Sequence, residues 1–77
     1  MAFDEERFRS IVIGALRISP STYRLDLKLG DIEEWDSIAH LELASAVEQG
    51  FNLRLSVEEI VELTELEQFR ARIKQAV

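Results

Sequence analysis

Apolar and polar residues alternate with a helical period over the first part of the chain. Apolar side chains recur three and four positions apart at Phe8, Ile11, Val12, Ala15 and Leu16. This spacing predicts an amphipathic helix over residues 4–17. Asp4 is expected to cap it, because its side-chain oxygen can accept a hydrogen bond from a free backbone N–H group. The helix must end before Pro20, since proline disfavours helical backbone at the preceding residue.

Residues 18–36 follow a different pattern. Apolar residues alternate there at Leu25, Leu27, Leu29 and Ile32, an arrangement typical of a strand. The chain has no second β-patterned run that could pair with it. We therefore expect a long, ordered loop whose leucines fold into the core.

The second helix, predicted over residues 37–49, has two apolar rows. The first row suits the core and comprises Ala39, Leu43, Val47 and Phe51. The second row comprises Ile38, Leu41 and Ser45, and it is flanked by Glu42 and Glu48. An apolar stripe bordered by carboxylates indicates a docking surface for a partner protein, although Leu41 could equally contact the core. Gly50 is expected to lie just beyond the end of this helix.

Two further helices are predicted from capping boxes. Ser56 to Glu59 form the first box and predict a short third helix. Thr64 to Glu67 form a second box, after which apolar residues continue at helical spacing to the C-terminus. The predicted fold is all-α: a single domain over residues 1–77, built as a small four-helix bundle with a long first loop and a short third helix.

Length and composition exclude several functions. A domain of 77 residues is too small for a deep catalytic cleft in most folds, so we expect no enzymatic activity from the chain itself. The absence of cysteine excludes disulfides, thiolate metal sites and a cysteine nucleophile. No apolar stretch approaches the length of a membrane span, and the N-terminus has no apolar signal region. We therefore expect a cytoplasmic protein that does not contact membranes.

The net charge of -6 is concentrated in one segment. Residues 31–49 contain no lysine or arginine and six acids, namely Asp31, Glu33, Glu34, Asp36, Glu42 and Glu48. Such a segment repels nucleic acid and attracts proteins with basic docking surfaces. The alternative is a solvated, solubilising helix face, but such faces usually mix positive and negative charges.

Asp36 and Ser37 stand directly before the apolar rows of the second helix. Either side chain could cap the helix N-terminus. The Ser37 hydroxyl could in addition carry a phosphate ester, because a helix N-terminus offers free N–H groups and a positive dipole end to a phosphate. The two roles are compatible.

Other chemistry in this region is less well supported. His40 is the only histidine and lies three residues after Ser37, but a Ser-His pair without a third orienting group or a cleft does not make a nucleophilic site. We expect His40 on the helix surface. The acids of residues 31–36 lack the central glycine and terminal glutamate of a calcium loop, so no metal site is predicted.

These residues resemble the acyl carrier protein family over nearly the whole chain. Asp36-Ser37-Ile38 corresponds to the Asp-Ser-Leu signature of that family at the start of its second helix. The similarity extends to the long first loop, to Glu42-Leu43 and residues 47–51, to Leu55-Ser56 with Glu58 and Glu59, and to residues 64–66.

The resemblance implies a specific modification. Ser37 would be esterified with 4′-phosphopantetheine from coenzyme A by a phosphopantetheinyl transferase, and Asp36 would belong to the same attachment site. Acyl groups would then be carried as thioesters on the terminal thiol. Acyl-loading and acyl-processing enzymes with basic surfaces would dock on the second helix, with Glu42 and Glu48 at positions of charged contacts. A free-standing, monomeric carrier is implied.

Trp35 departs from the family pattern. Carriers of fatty-acid synthesis usually have a small residue before the Asp-Ser pair, whereas Trp-Asp-Ser resembles carriers of specialised pathways. We expect the indole to cover the core, since a large aromatic ring beside a helix start commonly does so. The alternative to a carrier is an unmodified acidic helical interaction module, in which Ser37 is only a cap. The acyl cargo is not indicated by the sequence.

Overall fold

The first helix, α1, spans Glu5–Leu16 in the computed structural model, which describes residues 3–77. The Asp4 side chain accepts a hydrogen bond from the backbone N–H of Arg7, at 3.1 Å, so the predicted cap is confirmed. The helix ends at Arg17, which adopts a left-handed backbone conformation with φ 57°. The chain is thereby turned out of the helix three residues before Pro20.

The second helix, α2, spans Ser37–Phe51 and is longer than predicted. Gly50 lies inside it, and the left-handed residue that ends the helix is Asn52, with φ 52°. Asparagine tolerates this conformation better than most residues. Gly50 serves helix packing instead, because a Cβ atom built on it would collide with the side chain of Ile11 in α1.

The third helix, α3, spans Val57–Glu62, and its predicted capping box is present. Ser56 accepts from the N–H of Glu59 at 3.1 Å, and the Glu59 carboxylate accepts from the N–H of Ser56 at 3.0 Å. The fourth helix, α4, spans Leu66–Ala76. The four helices confirm the predicted all-α fold with its short third helix.

The capping box predicted at residues 64–67 is wrong. Glu65 is the residue before α4, and its side chain makes no capping hydrogen bond. The Gln68 side chain accepts from the N–H of Thr64 instead, at 3.0 Å. The reason is that Thr64 and Glu65 pair with the first loop, through the bond from Leu29 to the carbonyl of Thr64 and the bridge between Glu65 and Lys28, so α4 begins one residue later than the box requires.

This bridge also explains the strand-like pattern of the loop. The N–H of Leu29 donates to the carbonyl of Thr64 at 2.8 Å, and the N–H of Leu66 donates to the carbonyl of Leu27 at 3.1 Å. The loop therefore pairs with the connection between α3 and α4. Leu27 is fully buried, and Leu25, Leu29 and Ile32 are partly buried against the core, as expected from the sequence.

The core lies between α1, α2 and α4 and is closed by the loop. α1 and α2 are antiparallel, because Arg7 near the start of α1 bonds the carbonyl of Gly50, while Arg17 at its end approaches Glu42. The indole of Trp35 is fully buried, as predicted. The largest buried side chains are Trp35, Phe8, Phe69, Leu16, Leu27, Leu43, Leu66 and Ile73. Across residues 3–77, no helix has both the length and the apolar character to cross a membrane.

Candidate functional site

The start of α2 separates the roles of Asp36 and Ser37. Asp36 has extended backbone, and its carboxylate accepts from the N–H of Ala39 at 2.8 Å. It is therefore the cap. Ser37 is the first residue of the helix and is exposed. Within residues 3–77 its hydroxyl makes no hydrogen bond, so the interpretation of Ser37 as the cap is wrong.

Ser37 is consequently an accessible hydroxyl at the positive end of a helix of 15 residues. The N–H groups of Ser37 and Ile38 precede the first helical hydrogen bond, which the N–H of His40 donates to the carbonyl of Asp36 at 2.9 Å. These free N–H groups and the helix dipole favour a phosphate at this position. Among residues 3–77, no side chain that could act as a general base contacts this hydroxyl.

His40 is buried, and the prediction that it lies on the helix surface is wrong. Only 6% of the residue is exposed. Its Nδ1 accepts from the indole Nε1–H of Trp35 at 3.0 Å, and its Nε2 lies 2.7 Å from the carbonyl oxygen of Ile60 in α3. Both ring nitrogens are therefore engaged inside the protein. His40 cannot act as a base on Ser37 while these bonds exist.

The predicted docking row is exposed along α2. Ile38 is 72% exposed and Leu41 is 61% exposed, so Leu41 is not a core residue. Ser45 is exposed on the same helix, and Leu41, Glu42 and Ser45 line one shallow depression. Exposed apolar side chains beside a carboxylate are typical of a protein-docking surface.

Glu48 differs from the other predicted docking residues because it has a structural role. Its carboxylate accepts from the N–H of Leu55 at 2.8 Å and thus secures the connection between α2 and α3. The residue is partly buried. Of the two glutamates predicted to make charged contacts with a partner, Glu42 is the more exposed.

Arg17 is a residue of this site that the sequence did not indicate. Its side chain is 81% exposed and its Nη2 lies 3.9 Å from Oε2 of Glu42. Arg17 and Glu42 line a groove of about 280 Å³ beside the start of α2, together with Ala15, Leu16, Glu33, Glu34, Asp36, Ile38 and Ala39. Arg17, the residue after α1, therefore brings a positive charge next to the acidic segment of residues 31–49. Only the antiparallel packing of α1 and α2 brings it there.

Two exposed valines extend the apolar surface onto α3. Val57 and Val61 lie one helical turn apart and are both largely exposed. Their spacing of one helical turn places them on the same face of α3. On a helix of six residues, however, this spacing does not indicate whether that face is exposed or buried. α3 contributes no buried residue to the core.

Among residues 3–77, no three acidic or histidine side chains are arranged to hold a metal ion. A comparison with models of protein families finds no match, and a comparison with curated proteins finds none either. Function must therefore be inferred from the residues and their geometry.

Proposed function

We propose that this protein is an acyl carrier whose Ser37 is esterified with 4′-phosphopantetheine. The observation that supports this most is the Ser37 hydroxyl, which is exposed, free of hydrogen bonds within the described residues and located at the positive end of α2. Asp36 provides the helix cap, so esterification of Ser37 leaves the cap intact. When bound, the group supplies a thiol that holds acyl groups as thioesters, and this chain has no thiol of its own.

The residues at the start of α2 fit a phosphate ester. The free N–H groups of Ser37 and Ile38 can donate to phosphate oxygens, and the helix dipole stabilises the negative charge. The Asp36 carboxylate next to the ester adds repulsion, which its bond to the N–H of Ala39 offsets in part. Ser37 Oγ would attack the phosphorus of coenzyme A that bears the pantetheine arm. The P–O bond of the diphosphate would break, adenosine 3′,5′-bisphosphate would leave, and a phosphopantetheinyl transferase would take the proton of the serine hydroxyl.

The exposed face of α2 fits basic partner enzymes. Glu33, Glu34 and Glu42 lie around the groove beside Ser37, and Ile38 and Leu41 provide apolar contact area. Long-range attraction to a basic surface accelerates encounter, while burial of the apolar side chains stabilises the complex. We further propose that the protein acts as a monomer in the cytoplasm. The Trp35-Asp36-Ser37 sequence supports a role in a specialised pathway.

The modification is tested by incubation with coenzyme A and a broad-specificity transferase, followed by intact-mass measurement. The wild type should gain one phosphopantetheinyl group, and Ser37→Ala should gain none. Ser10→Ala is the matched control, because it removes an exposed serine of α1, outside the docking row, and should still be modified. Modification of Ser37→Ala, or none of the wild type, would overturn the proposal in favour of an unmodified interaction module.

Docking is tested by the rate of the same reaction at low and physiological salt. Glu42→Lys should slow modification and weaken its salt dependence, because the charge lies beside Ser37. Glu6→Lys makes the same charge change on an exposed residue at the start of α1 and should have little effect. Glu48 is unsuitable for this test, because its substitution also breaks the bond to Leu55. Equal rates and salt dependence for Glu42→Lys and Glu6→Lys would contradict docking on α2.

A further inference from the structure

His40 is held in a single protonation state by its two partners. An indole N–H can only donate a hydrogen bond, and a backbone carbonyl can only accept one. Nδ1 must therefore be unprotonated to accept from Trp35, and Nε2 must carry the proton to donate to Ile60. The observed geometry requires the neutral ring.

The ring connects two elements that flank the modification site. Trp35 directly precedes Asp36 and Ser37, and its carbonyl accepts from the N–H of Gly30 at 3.1 Å. The indole bond to His40 thus fixes the last residue of the loop before the chain enters α2. On the opposite side, His40 secures the carbonyl of Ile60 in α3.

α3 is lightly attached to the other helices. None of its residues is fully buried, although Ile60 is half-buried against the core. Within residues 3–77, its polar contacts with other helices are the one between Ile60 and His40 and the one between Glu59 and Arg72 of α4. The bond between His40 and Ile60 is therefore the hydrogen bond that joins α3 to α2, and its loss would weaken this attachment.

We infer that His40 is a pH-sensitive positioning residue of the carrier site. The neutral ring holds Trp35 and α3 against α2, and protonation of the ring releases both and loosens the approach of the chain to Ser37. The release of Trp35 and α3 rests on the hydrogen bonds alone. The consequence for Ser37 rests on the proposed carrier function.

Protonation is incompatible with the observed contacts for two reasons. A proton on Nδ1 would point at the indole N–H of Trp35, so two donors would face each other and the bond would be lost. The positive charge would also be buried, since the ring stacks on Trp35 and its centroid lies 5.7 Å from that of the Phe69 ring. A buried charge without a partner is costly, so the charged ring favours an opened state in contact with water.

No carboxylate compensates this charge among residues 3–77. The ionisable side chains on the elements packed against the ring are Tyr23, Arg24, Asp26, Lys28, Asp31, Glu33, Glu34 and Asp36 of the loop, Glu42 and Glu48 of α2, Glu58, Glu59 and Glu62 of α3, and Glu67, Arg70, Arg72 and Lys74 of α4. None of them hydrogen-bonds or forms an ion pair with the imidazole. Glu59 is engaged with Arg72, and Asp36 caps α2.

The protein contains the reporter needed for the test. Trp35 is the only tryptophan and His40 the only histidine. Between about pH 8 and pH 5 imidazole is the side chain whose charge normally changes. Indole fluorescence, the NMR signal of the Trp35 indole N–H and the amide exchange of α3 can be followed across this interval. His40→Asn is the matched variant, because its side-chain oxygen can replace Nδ1 as acceptor but does not titrate. His40→Gln, which can replace the donor at Nε2, is the second.

In the wild type we expect acidification to change the Trp35 signals reversibly. The opened population of α3 should rise about two- to tenfold, the factor that corresponds to one net hydrogen bond. Both variants, once circular dichroism shows that they are folded, should give flat profiles. The inference is overturned if the wild type is flat, or if a folded variant shows the same transition as the wild type.

A second measurement distinguishes this inference from the carrier proposal. The ratio of transferase rates on wild type and His40→Asn cancels the pH dependence of the transferase, and it should fall on acidification. If the Trp35 transition occurs but no form is modified at Ser37, the carrier proposal fails and the role of His40 in holding Trp35 and α3 stands. If Ser37 is modified and the Trp35 profile is flat, the inference about His40 fails and the carrier proposal stands.

Discussion

Asp36 and Ser37 are adjacent residues with separate tasks. The carboxylate of Asp36 satisfies the N–H of Ala39, whereas the hydroxyl of Ser37 is left free for chemistry. This division has a practical consequence. A serine that also capped the helix could not be modified without disturbing the hydrogen bond, and its mutation would confound folding with function.

Substitution should separate the two tasks. Asp36→Ala removes the cap and should cost about 0.5–2 kcal/mol of unfolding free energy. Ser37→Ala should change the unfolding free energy by no more than a few tenths of a kcal/mol, because no hydrogen bond is lost. Asp36→Asn keeps a capping oxygen without the charge and is the control. Urea denaturation measures all three, and a Ser37→Ala variant as unstable as Asp36→Ala would contradict this assignment.

Individual side-chain roles were the least predictable part of the site. The Asp-Ser pair predicted a helix start, but either residue can cap, and the choice depends on which one has extended backbone. His40 was expected on the helix surface once a role as the base for Ser37 had been rejected. Its burial depends on an indole and a carbonyl that are supplied by the loop and by α3. Glu48 was assigned to docking because it flanks the exposed row of α2 and because the resemblance to carriers implies charged contacts there, whereas its bond to Leu55 depends on the path of the following connection.

At the scale of elements, substitution by alanine should affect two helical glycines differently, because only Gly50 lies at the contact between α1 and α2. Nothing lies within 4 Å of a Cβ built on the exposed Gly14, whereas one built on Gly50 collides with Ile11. Gly14→Ala should therefore stabilise the protein by roughly 0.5–1 kcal/mol, the usual gain in a helix interior. Gly50→Ala should be less stable than Gly14→Ala, because the end of the Ile11 side chain must move to make room for the added methyl group.

Thermal unfolding measures both glycine variants. Ile11→Val, which removes the Cδ1 atom that collides, should recover part of this difference in stability when combined with Gly50→Ala. The proposed close contact would be refuted if Gly50→Ala raised the unfolding midpoint as much as Gly14→Ala.

The attachment of α3 to α4 should weaken in acid. The hydrogen bond from Arg72 lowers the pKa of Glu59 below its ordinary value of 4.5. A lowered pKa in the folded state stabilises the protein above the unfolded value, and this stabilisation is lost as pH falls through the folded value. Arg72→Gln should thus be less stable than the wild type at neutral pH. This difference in stability should become smaller as the pH falls below 4.5, the ordinary pKa of a glutamate.

Urea unfolding midpoints at several pH values test this, with Arg54→Gln as a control on an exposed arginine. A difference between Arg72→Gln and the wild type that stays constant with pH would exclude Glu59 as its source.

The elements themselves were largely predictable, because amphipathic spacing and local caps determine them. Helical spacing predicted α1, α2 and α4, and a capping box predicted α3; the cap at Asp4 and the box at Ser56 depend on residues close in sequence. The box at Thr64 was wrong because Thr64 and Glu65 pair with the distant residues Lys28 and Leu29, and α4 begins one residue later. The end of α2 was placed too early because Gly50 was judged by its backbone freedom and not by its contact with Ile11.

At the scale of the whole molecule, charge is distributed unevenly. Residues 31–49 contain six acids, and Arg17 approaches one of them, Glu42. This ion pair is exposed, so it contributes little to the stability of the protein. Added salt or divalent cations should therefore raise the thermal midpoint by screening repulsion in this segment. Arg17→Gln should increase the dependence on salt. A midpoint that stays flat or falls with salt would show that repulsion in the acidic segment does not limit stability.

The antiparallel arrangement of α1 and α2 places the start of α1 beside the end of α2. Phe3 packs against Lys74 of α4, and Asp4 and Val77 line the same cavity with Gly50 and Phe51. Phe3 and Val77 are thus near the far end of α2, about 20 Å along its axis from Ser37. A fluorophore or surface linker attached at Val77 would therefore leave the face around Ser37 accessible.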